Sequence, residues 1–185
     1  MTIDRHIFLI GMQNCGKSSL GKRLAQRMGF SYVDTDLALA DAVGMTEAEI
    51  LVKYGEAAWH NGEKNILQSL VLRSPCMIST GGDMPLDEEN RKIMRNHGIT
   101  ILIDRPIESI MTGIRMEKRP MFQVNREDIP DVYRQRIDTY RAAADLVMDN
   151  SHGFQNGLNT LEYLITSELR RLSSQQERQE ENDME

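Results

Sequence analysis

The stretch GMQNCGKSS, residues 11–19, decides how the rest of the chain is read. Gly11 is followed by four residues and then by Gly16, Lys17 and Ser18, which is the phosphate-loop spacing G-x-x-x-x-G-K-[ST]. The two glycines permit a tight backbone path that aims several N–H groups at one oxyanion. A helix starting near Lys17 adds its positive end. The Lys17 ammonium can bridge β- and γ-phosphates, and the Ser18 hydroxyl suits Mg²⁺. Cys15 lies beside Lys17, either as a reactive thiol or as a small side chain filling a loop position.

The flanks of the loop match this reading. HIFLIGM (6–12) is an apolar strand and residues 16–28 form an amphipathic helix. Further along, FSYVDTD (30–36), PCMISTGG (75–82), ITILIDR (99–105) and DLVMDN (145–150) read as strands. Helical patterns cover 56–73, 86–96, 106–116, 128–143 and 157–172, and Thr46 with Glu49 forms a capping box that opens a short helix. Strands alternating with helices predict an α/β fold: three layers, with a parallel sheet covered by helices on both faces. No internal repeat or linker divides the chain. A single domain is expected over 1–172, followed by an acidic tail, 173–185.

That tail, SSQQERQEENDME, carries −4 of the net charge of −6 and has few apolar residues, so it is expected to be disordered. An acidic chain without a basic stripe argues against nucleic acid as a partner. No apolar run approaches the roughly 18 residues of a membrane span. The N-terminal apolar run leads straight into the phosphate loop without a small-residue cleavage site, and reads as a strand rather than a signal peptide. Cys15 and Cys76 suggest no disulfide framework, and a cytoplasmic location is expected.

The phosphate can go to water, to a protein switch or to a small molecule. A GTPase switch would carry an N-K-x-D-type segment, and none is present. DAVG (41–44) matches D-x-x-G but falls in a helical stretch. A motor ATPase would normally be larger. A small kinase remains, and VDTD (33–36) supports it. On a strand, Asp34 and Asp36 would share a face at its carboxyl end, where parallel sheets bind ligands. One carboxylate can order Mg²⁺-bound water while the other holds an acceptor hydroxyl. Alternatively, Asp36 is a helix N-cap in front of DLALADAV.

The runs GMQNCGKSSLGKRLAQRMGFSYVDTD, GEAAWHNGEKNIL, STGGD, KRPMF and RIDTYRAAADLVMD follow the order and spacing of shikimate kinases, over roughly residues 6–170. This resemblance implies a five-stranded parallel sheet, a substrate-binding segment at about 37–65 and a lid at about 113–127. It implies transfer of the ATP γ-phosphate to the 3-hydroxyl of shikimate, and a monomer is expected. By position, Gly11, Cys15, Gly16, Lys17, Ser18 and Ser19 would face ATP, with Ser18 and Asp34 on the Mg²⁺ side. Asp36 would hold the acceptor hydroxyls and serve as base, and Gly82 would present its backbone to the ring. Arg136 and the residue at position 60 would clamp the carboxylate, Arg119 would close the lid over the phosphates, and Glu63 would orient the binding helix.

The acceptor pocket departs from that family's pattern. His60 stands where an Arg is expected. Imidazole is shorter than guanidinium, cannot form its planar fork and is mostly neutral at pH 7. Losing one hydrogen bond to a charged group, roughly 1.5–3 kcal/mol, weakens binding about 10- to 100-fold. Asp83 replaces the third Gly of STGGD, where it would repel a carboxylate or accept bonds from additional hydroxyls or an amine. Thr112 replaces an adenine-stacking Arg, for which Arg115 can substitute, and Asp138 stands where Pro is usual. These departures leave two further readings: a kinase of another small hydroxy acid or polyol, or a nucleotide-binding regulatory protein without turnover.

Overall fold

The computed structural model describes residues 4–113 and 126–183. Five short apolar runs form one parallel sheet: β1 (His6–Ile10), β2 (Tyr32–Asp34), β3 (Met77–Ser79), β4 (Gly98–Asp104) and β5 (Leu146–Asp149), in the spatial order β2-β3-β1-β4-β5. Every residue of β1 is buried, as a strand covered on both faces requires. The register places Leu9 opposite Ser79 on one side and Ile101 on the other, so the carboxyl ends of the three central strands finish at one edge.

Helix α1 (Lys17–Met28) returns the chain from β1 to β2 and packs on β3 beside the last helix. Its Gly21 lies against the sheet, where a Cβ would come within 2.7 Å of a Leu9 methyl and 3.0 Å of Ser79 Oγ. After β2 come α2 (Thr35–Val43), α3 (Glu47–Tyr54) and α4 (Glu56–Val71), which share a small core of Leu39, Ile50 and Trp59 separate from the main one. The capping box expected from sequence opens α3: Thr46 N–H donates to Glu49 Oε2 at 2.7 Å and Glu49 N–H to Thr46 Oγ1 at 3.3 Å. A 3₁₀ turn (Met84–Leu86), α5 (Glu88–His97), α6 (Ile107–Gly113) and α7 (Ile129–Ala143) follow, and α5 and α7 pack against β4.

The sequence reading fails in two places. Asp36 does not extend the strand. β2 ends at Asp34, whose carboxylate caps α2 by accepting from the N–H groups of Asp36 and Leu37, so the two acids do not share a strand face. The tail expected to be disordered continues α8 (Phe154–Asp183). Leu158, Leu161, Ile165 and Leu169 anchor the front of α8 in the core. Once a helix is nucleated, each further residue adds a hydrogen bond, and Gln, Glu and Arg are good helix formers.

The end of α8 is exposed from Ser173 to Gln179. Ending the chain at Leu172 is therefore expected to reduce the helical circular dichroism signal while moving the melting temperature by no more than about 2 °C. A loss above about 5 °C would mean that the tail stabilises the domain.

Candidate active site

The loop between β1 and α1 turns at Gly11 (φ 135°) and Gly16 (φ 111°), with Asn14 at φ 61° between them. A Cβ on Gly11 would stand 2.7 Å from the Ile103 carbonyl oxygen, and one on Gly16 would stand 2.7 Å from Asn150 Nδ2, so neither position admits a side chain. Among the described residues no side chain caps α1, and its first turn holds no acid, which leaves the leading N–H groups of the helix for an anion. The Lys17 ammonium is buried and folds onto its own loop, donating to the Gly11 carbonyl at 2.8 Å and the Met12 carbonyl at 3.0 Å.

Ser18 Oγ donates to Asp34 Oδ2 at 2.7 Å while Asp34 Oδ1 caps α2, so one carboxylate ties the phosphate loop to the acceptor helices. Lys17, Ser18, Ser19, Asp34, Asp36 and Gly82 line one cavity of about 470 Å³. A smaller cavity of about 190 Å³ continues past Gly16 and Ser19 to Arg105, Gly153 and Phe154. Among the described residues no three His, Cys, Asp or Glu side chains converge on a metal position. The donor set here, a hydroxyl and a carboxylate, fits Mg²⁺ that keeps most of its ligands as phosphate and water oxygens.

A second cavity of about 380 Å³ holds His60, Glu63, Asp83 and Arg136 together with Trp59 and Asn90. Asp36 from the first cavity and Glu63 from the second both flank Gly81, where an added Cβ would stand 2.5 Å from Asp36 Oδ1 and 2.6 Å from Glu63 Oε1. The turn is held from behind: Gly81 N–H donates to Thr35 Oγ1 at 2.9 Å, and the buried Tyr140 hydroxyl donates to the Gly82 carbonyl at 2.8 Å. Glu63 is only 2% exposed, and its Oε2 lies 2.9 Å from His60 Nδ1. Burial pushes its carboxyl up to about 7, against the hydrogen bond from His60 and with help from the Asp36 charge. Arg136 Nη1 lies 2.6 Å from Asp83 Oδ1.

The structure thus brings Gly11, Gly16, Lys17, Ser18, Ser19, Asp34, Asp36 and Gly82 to one site, with His60 and Arg136 in the adjoining one. Cys15 is different: its thiol is fully buried in the core, its N–H donates to the Met12 carbonyl, and its carbonyl accepts from Asn150. The loop turns its Cβ inward, which leaves no thiol facing the cavity. Arg115 and Arg119 lie outside the described residues. Sequence reasoning missed Thr35, Tyr140, Arg105 and Asn150. Only Arg105 and Asn150, directly after strands β4 and β5, carried a signal in their position.

A phosphate loop, a capped acid beside it and an acceptor-sized cavity on a parallel sheet define a small-molecule kinase of the P-loop class. The shikimate kinase profile matches residues 13–166. A shikimate kinase of Clostridium botulinum (strain Eklund 17B / Type B) is 29% identical over 159 residues, covering 86% of this chain and 96% of the relative. Shikimate kinase 2 of Pectobacterium atrosepticum is 35% identical, covering 78% and 87%. The structure of shikimate kinase from Acinetobacter baumannii in complex with shikimate superposes with a TM-score of 0.81 at 25% identity, covering 88% of this chain and 94% of that one. The chain belongs to the shikimate kinase family.

Two measurements probe the site. Asn150→Ala leaves the Cys15 carbonyl without its donor, at a cost of about 1–3 kcal/mol, and should weaken Mg²⁺-dependent ATP binding as the loop loosens; unchanged affinity in a titration would remove that role. Glu63 binds its proton more tightly folded than unfolded, so its contribution to stability is complete below about 4.5 and lost as pH rises through about 7. The melting temperature of Glu63→Gln, relative to the parent, should therefore rise across that interval; a flat difference would show that Glu63 titrates normally.

Proposed function

We propose that this protein transfers the γ-phosphoryl group of ATP to the 3-hydroxyl of shikimate, giving ADP and shikimate 3-phosphate. The observation that carries the reading is the shared cavity of Lys17, Ser18, Asp34, Asp36 and Gly82 in a chain of this family. ATP enters with its phosphates against the α1 N-terminus and its base beside Arg105 and Phe154. Lys17 moves from its loop carbonyls to the β- and γ-phosphates. Ser18 and Asp34 would hold Mg²⁺, which would supply neutralisation of phosphate charge.

Asp36 receives the acceptor hydroxyl and takes its proton as the O–P bond forms and the bond to ADP breaks. Phosphoryl transfer has a loose transition state, so aiming and charge neutralisation matter more than the basicity of Asp36. His60, Arg136 and the Gly82 backbone hold the rest of the acceptor; Arg119, which the resemblance assigns to the lid, lies outside the described residues. The acidic balance and the two unpaired cysteines support a monomeric cytoplasmic enzyme acting on a small molecule rather than on nucleic acid. Among the described residues no helix is long and apolar enough to cross a membrane.

A coupled assay of ADP release should show saturable dependence on shikimate. Lys17→Ala and Asp36→Asn should each lower kcat/KM by about 100-fold or more. ADP release that ignores shikimate, or survives both substitutions, would overturn the assignment.

A further inference from the structure

The wall of the acceptor cavity is acidic. Glu56, Glu63, Asp83 and Asp87 line it against one guanidinium, that of Arg136. That guanidinium is already engaged by Asp83 at 2.6 Å, with the pair largely shielded from water at 24% and 13% side-chain exposure. Asp83 follows directly on the Gly82 carbonyl held by Tyr140, and its backbone opens the 3₁₀ turn at Met84.

The same wall presents polar groups with no partner among the described residues. Trp59 is 1% exposed, and its indole N–H has no acceptor; Asn90 is 2% exposed, and its Oδ1 has no donor; Glu63 Oε1 is likewise unsatisfied. Unpaired buried groups of this kind are costly unless a ligand completes them. Two acceptors and a donor, framed by carboxylates, match a ligand rich in O–H or N–H groups.

Resting on the kinase reading above, we propose that Asp83, by engaging Arg136, is a specificity-determining residue of the acceptor cavity, which weakens the hold on the shikimate carboxylate and admits beside shikimate a polyhydroxy compound without that charge, neutral or amine-bearing. The enzyme phosphorylates such an alcohol by the same transfer from ATP, the hydroxyl proton passing to Asp36. A carboxylate-bearing acceptor such as shikimate must compete with Asp83 for the guanidinium or bring a further negative charge to the wall. Hydrogen bonds to charged groups set the scale of that penalty at about 10- to 100-fold in affinity.

The test compares shikimate with its methyl ester, which keeps the hydroxyls and loses the charge, on the full chain with saturating MgATP. The ester is expected to show kcat/KM about tenfold or more above shikimate, and Asp83→Asn should shift the ratio toward shikimate by about tenfold or more. A parent enzyme that prefers shikimate, or a ratio that stays within about twofold in Asp83→Asn, overturns the proposal. Calorimetric titration of both compounds into the protein with ADP and Mg²⁺ separates this from the kinase reading. If no acceptor releases ADP, the kinase assignment fails, but tighter binding of the ester still supports the charge selection. Tighter binding of shikimate, or binding of neither compound, overturns it.

Discussion

The missing side chain at Gly11 is the constraint on which the site depends. The loop leaves β1 so close to β4 that an added carbon would strike the Ile103 carbonyl. That approach turns the chain sharply enough for Gly16 to start α1 with its amides facing the cavity. It also sets the Gly11 and Met12 carbonyls where they hold the Lys17 ammonium in place. Asn150 supports the loop from β5 through the Cys15 carbonyl, so the anion site is built from three adjacent strands rather than from the loop alone.

Asp34 carries that order outward. Its two oxygens face different elements: one accepts from Ser18 in the phosphate loop, the other from the first amides of α2. Asp34 is thus a cap and a tether, and Asp36 lies in the first turn of α2 rather than on the strand because Asp34 starts that helix. The division of labour follows from backbone chemistry. An N-cap must point its side chain back at the helix amides, so the acid two residues on, Asp36, is rotated away, toward Gly81 and the acceptor side.

Much of this was legible in the sequence because it is local. The loop spacing, the apolar strands and the Thr46–Glu49 box depend on neighbours a few residues apart, and each formed where expected. The α2 boundary was ambiguous because Asp is equally at home at a strand end and at a cap, and hydrogen bonding by Asp34 decided it. The tail misled because composition speaks against a packed core but not against extending a helix already anchored by Leu161 and Ile165. The Asp83–Arg136 pair, the Tyr140–Gly82 bond and the Thr35–Gly81 bond join residues distant in sequence, and no spacing announces them.

The acceptor side is also built to vary separately from the phosphate side. Helices α2, α3 and α4 share a small core of Leu39, Ile50 and Trp59, and the far end of α4 enters the cluster that holds the sheet and the loop through Leu67 and Leu70. Substitutions along the cavity wall, such as His60 and Asp83, change charge without disturbing the Gly11–Ser18 path. Asp34, Thr35 and the Gly81–Gly82 turn join the phosphate loop to the acceptor side. Those contacts fix where an acceptor oxygen meets the nucleotide, while the wall behind it decides which molecule carries that oxygen.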